Sequence, residues 1–84
     1  MNKSVYIIQH NITDSVTIEN RIKTLGDWIK YFDNSFLLRS DLKAKDIYEK
    51  ISVDFEKSNI LIMEITSSNY WGRMDVSLWK FLKE

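Results

Sequence analysis

An α+β fold is what this sequence predicts, in the element order βαββαβ followed by a C-terminal helix. Three observations carry that reading. Apolar runs rich in β-branched and aromatic residues recur at 5–8, 27–32, 36–40 and 60–65, with the composition and length of strands. Two stretches between them, 15–25 and 43–52, space their apolar residues three and four apart, which puts those residues on one side of a helix. The chain has no proline, two glycines and no repetitive or linker-like stretch, so residues 1–84 read as a single domain.

The first strand is expected at 3–11, where Val5, Tyr6, Ile7 and Ile8 form the continuous apolar run of a central strand. The following ITDS offers Asp14 or Ser15 as an N-cap. Ile18, Ile22 and Leu25 then recur at helical spacing, and Gly26 is the expected stop. Residues 27–32 and 36–40 make a hairpin around Asp33-Asn34-Ser35, since Asp and Asn tolerate left-handed backbone angles. Alternation puts Trp28, Lys30 and Phe32 on one face and Ile29 and Tyr31 on the other. Ala44, Ile47, Tyr48 and Ile51 form the stripe of a second helix, and ILIMEI at 60–65 is the fourth strand. A polar turn containing Ser67 and Ser68 leads to Tyr70-Trp71-Gly72 and a last helix at about 75–83, capped by Asp75. Met74, Leu78, Phe81 and Leu82 share one face of it, with Trp79 at the edge.

This order is the ferredoxin-like pattern, an antiparallel sheet with its two main helices on one face. The other face is then bare. The C-terminal segment bearing Tyr70, Trp71, Trp79 and Phe81 is expected to fold over that face or an edge, on its own chain or on a second subunit.

Charge narrows the function classes. Lys+Arg and Asp+Glu are 12 each, balanced in both halves of the chain. A dedicated nucleic-acid binder needs a basic excess to neutralise phosphates; here only a local patch from Lys23, Lys30 and Arg39 is conceivable. There is no cysteine, hence no disulfide and no thiolate chemistry, which fits a cytoplasmic setting. No run approaches the ~20 apolar residues of a membrane span, and no signal-peptide core is visible. The two glycines cannot build a phosphate-binding loop, and no cofactor is expected.

The stretches VYIIQHN, LGDWIKYFDNSFLLRSDLKAKDIYEKI, ILIMEI, YWG and LWKFLKE resemble the small SinR-family proteins. Those are in turn similar to the CRISPR-associated endonuclease subunit that sits beside the integrase, and to the VapD toxins. The resemblance covers nearly the whole chain, most specifically Trp28 to Asp41 and the Trp-Gly with the terminal helix. It implies a ferredoxin-like subunit that dimerises by joining or stacking sheets. In the nuclease members, an aspartate at the end of strand one, in a Tyr-Asp-aliphatic context, comes from each protomer, and the two carboxylates hold one divalent metal. The matching residues here are His10-Asn11-Ile12, with Asn11 in the aspartate position and His10 in the tyrosine position.

That departure has a chemical consequence. Magnesium favours hard, negatively charged oxygen ligands, and an asparagine amide is neutral. Asp14 lies three residues on but is better read as the helix cap. His10 is the single histidine, with no partner set for a metal. His10, Asn11 and Asp14 are therefore read as a degenerate site, with no catalytic and no metal-binding residue.

An RNA-recognition module of the same element order would stack bases on sheet aromatics, and Tyr6 and Phe36 are the residues to do so. Its basic-aromatic third-strand signature is missing from SFLLRS. The expectation is a non-enzymatic protein-interaction domain, homodimeric and with a further protein partner, of the small stand-alone type that phages and mobile elements carry to modulate a host system. Its interface candidates are Tyr70, Trp71, Leu78, Trp79 and Phe81. A metal-dependent endoribonuclease and an RNA-binding module are the alternatives.

Overall fold

The computed structural model describes residues 3–66 and 69–83; the expected turn at Ser67 and Ser68 lies outside them. Seven elements follow one another: β1 (Ser4–His10), α1 (Ser15–Lys23), β2 (Asp27–Phe32), β3 (Ser35–Ser40), α2 (Ala44–Ile51), β4 (Ile60–Ile65) and α3 (Val76–Lys83). The fold is α+β. Its four strands form one open antiparallel sheet in the order β2-β3-β1-β4.

The pleat divides the sheet into two apolar layers. Tyr6 and Ile8 of β1 and Phe36 and Leu38 of β3 face α1 and α2, where they meet Ile18, Ile22, Ile47 and Ile51. The residues between them point the other way. Val5, Ile7, Ile29, Tyr31 and Leu37 meet Leu78, Phe81 and Leu82 of α3. The central strands are apolar on both faces because both faces are covered. Tyr6 keeps its hydroxyl in this dry layer by donating to the Leu42 carbonyl at 2.7 Å.

Local chemistry accounts for the ends. Asp14 caps α1, its carboxylate accepting from the Thr17 N–H at 3.2 Å and the Thr17 hydroxyl at 2.7 Å. Asp75 accepts from the Ser77 N–H at 2.9 Å before α3. Asn34 takes the left-handed conformation (φ 62°) at the β2–β3 turn.

Two local expectations are corrected. The helix α1 stops at Lys23 and is capped by Thr24, whose hydroxyl donates to the Arg21 carbonyl at 2.7 Å; Gly26 does not end it. Gly26 (φ 156°) instead lets β3 pass close by, since a Cβ there would collide with the Arg39 carbonyl oxygen. The face shared by Trp28 and Lys30 also ends before Phe32. An extra residue between Lys30 and Phe32 shifts the β2–β3 register, and Phe32 lies against Tyr31 with ring centroids 5.2 Å apart.

Candidate functional site

Two regions concern function: the end of β1, where the resemblance places a metal-binding carboxylate, and the α3 side of the sheet. At the end of β1, the Asn11 carboxamide oxygen accepts from the Asn59 N–H at 2.7 Å, and the Asn11 N–H donates to the Asn59 carbonyl at 3.2 Å. Asn11 thus clasps β1 to the segment entering β4. Asp14 is turned to Thr17, and those hydrogen bonds, the hydroxyl first, hold its carboxyl below the usual range. Its oxygens serve the start of α1. Among the described residues no three His, Asp or Glu side chains cluster as a metal ion would require.

His10 is half-buried, its ring stacked near Phe36 with centroids 6.1 Å apart. Its Nδ1 accepts from the Ile12 N–H at 3.0 Å, which puts the ring proton of neutral histidine on Nε2. That Nε2 is buried and has no hydrogen-bond partner. Burial, and then the nearby Lys30 charge, lower the His10 pKa. Through the Ile12 N–H the imidazole holds the turn from β1 toward α1.

A pH dependence follows. As pH falls below about 6.5, the unfolded chain binds a proton at His10 before the folded chain does. Stability therefore falls on acidification through the interval between about 6.5 and the lowered folded value, and this contribution is flat above it. Denaturant titrations at pH 7.5 and 5.0 should show the loss, and His10→Leu should flatten the slope between them. An unchanged slope in that variant would assign it to other groups.

The proposed basic patch is not assembled. Lys23 and Lys30 both pair with Glu19, each at 3.3 Å, and Lys23 also lies over the Trp28 ring, 4.6 Å from its centroid. Arg39 sits over Phe81 at 4.5 Å and donates to the Phe81 carbonyl. The base-stacking platform is also overturned: Tyr6 and Phe36 are buried under α1 and α2. The pleat turns them into the helix-covered layer, where no base could reach them.

On the α3 side the interface candidates separate. Leu78 and Phe81 are buried against their own sheet. Trp79 is half-buried and stacked on Tyr70 with centroids 5.3 Å and planes 17° apart. Tyr70 remains exposed, and Trp71 is wholly exposed (100 %). Ile7, Ile65, Tyr70, Trp71 and Trp79 line an open apolar groove of about 280 Å³.

Sequence reasoning did not single out Leu61 and Met63, which are exposed on β4 at 46 % and 54 %. They face the α3 side, Met63 opposite Ile7 and Leu61 opposite Gln9. Nothing in ILIMEI marked them, because its one polar residue, Glu64, lies on the other face with Ile60 and Ile62. No helix among the described residues is long and apolar enough to cross a membrane. No protein family, curated protein or solved structure was found to match this chain.

Proposed function

We propose that this chain is a non-enzymatic, cytoplasmic protein-interaction domain of ferredoxin-like type that works as a homodimer. The observation that carries the reading is the apolar surface on the α3 side. Leu61, Met63 and Trp71 are exposed there beside the groove containing Tyr70 and Trp79. Large amphipathic aromatics in such a patch are the usual anchors of protein interfaces. The strand order β2-β3-β1-β4, with the first and third strands in the centre, supports the ferredoxin-like part. A further protein partner, in the setting of a mobile element acting on a host system, is part of this reading.

Light scattering across micromolar concentrations tests it. The expected mass is twice the 10.0 kDa of one chain; a single-chain mass at high micromolar concentration would overturn the homodimer.

The nuclease alternative meets the Asn11 carboxamide, already bonded to Asn59. Labelled RNA or DNA incubated with magnesium or manganese is expected to stay intact. Metal-dependent cleavage that disappears in Asn11→Ala or Asp14→Ala protein would reverse the reading. With zero net charge, binding to single-stranded RNA near 150 mM salt should be no tighter than nonspecific values of roughly 10⁻⁴–10⁻⁶ M. Fluorescence anisotropy checks this, and submicromolar affinity would restore the RNA-binding alternative.

A further inference from the structure

The two edges of the sheet are built differently. β2, at one edge, carries Asp27 and Lys30 and the extra residue between Lys30 and Phe32. Charges and bulges on an edge strand are devices that prevent pairing with another chain. β4, at the opposite edge, has neither safeguard in strength. It runs six residues in unbroken register with β1, its side chains are apolar except Glu64, and no strand of this chain lies along its outer side among the described residues. A regular apolar edge of this kind is a template for a further strand.

We propose that the outer edge of β4 pairs antiparallel with β4 of a second copy about a two-fold axis, joining two four-stranded sheets into one of eight. This rests on the homodimer reading and specifies its contact. An isologous contact must be self-complementary, and β4 meets that condition. Residues opposite each other in an antiparallel pair share a face, so the axis passes through a residue. With the axis at Ile62, Leu61 faces the partner's Met63 and Glu64 faces the partner's Ile60. With the axis at Met63, the two Met63 side chains meet and Glu64 faces the partner's Ile62. Both registers keep the single strand charge away from its own copy, and zero net charge removes long-range repulsion between copies.

Leu61 and Met63 are exposed on β4 and add apolar surface to the strand pairing, so the light-scattering mass should rise with concentration.

The absence of cysteine makes the test clean. Single cysteines are placed at Leu61, Ile62, Met63 and Glu64, and at Val16, exposed on α1, as a control. Under mild oxidation the covalent dimer should be strongest at Ile62 or Met63, where the axis brings identical residues within disulfide reach, and weak at Val16. Met63→Lys should reduce the light-scattering mass to that of one chain with an unchanged circular dichroism spectrum. If Met63→Lys does not fold, the cysteine pattern decides. A dimer that cross-links away from β4, or that persists in folded Met63→Lys, overturns the strand pairing while leaving the homodimer. A monomeric native protein overturns both.

Discussion

Phe81→Ala is expected to destabilise the protein by about 3–4 kcal/mol, the usual cost of deleting a buried phenylalanine and leaving a cavity. Phe81 is buried beside Leu37, Leu78 and Leu82, and its ring lies under the Arg39 guanidinium. An 84-residue domain has a total stability of only roughly 4–13 kcal/mol. One side chain of α3 therefore decides much of whether the sheet stays folded. Urea denaturation followed by circular dichroism would measure it, with Val76→Ala as the control because Val76 lies on the exposed side of α3. The control should change stability by less than about 0.5 kcal/mol. Equal effects from the two substitutions would mean that α3 does not seal the sheet.

Gly26→Ala is expected to cost about 2–3 kcal/mol, in the range of overpacking within a closed structure. The added methyl group would press on the Arg39 carbonyl oxygen, which belongs to backbone and cannot rotate aside. Asp27 and Arg39 are the residues opposed where β2 joins β3, so the sheet edge would have to separate there. Arg39 also donates to the Phe81 carbonyl, so the disturbance should reach α3. Thermal unfolding would show a lowered midpoint. A midpoint equal to that of the native protein would show that the β3 backbone can yield without cost.

The end of β1 is held by hydrogen bonds within the chain. Asn11, Asp14 and His10 each have a hydrogen-bonding task in the fold: Asn11 joins Asn59, Asp14 joins Thr17 and His10 joins Ile12. Of these, the Asp14 cap was legible in sequence, because a cap acts within one turn of its helix. The Asn11–Asn59 clasp was not, because its partners are 48 residues apart and nothing local marks the pairing. The buried His10 Nε2 was likewise invisible, since burial depends on which strands flank β1.

What the sequence determined by itself were the elements and their order. β2 and β4 span the stretches read from the sequence, and the other elements differ at their ends by one or two residues. Helical and strand periodicities are local, and caps and turn residues act over a few positions, so a single chain displays them directly. Tertiary structure alone decided what lies against each face. It placed α3 over Leu37 and buried Leu78 and Phe81 in their own subunit, while Trp71 stayed in solvent and Leu61 and Met63 were left exposed. It also moved the role of Gly26 from a helix stop to a close strand contact. These outcomes depend on the spacing between elements remote in sequence: a helix of eight residues covers only part of a four-stranded sheet, and which strands it covers is set by packing, not by the pattern along the chain.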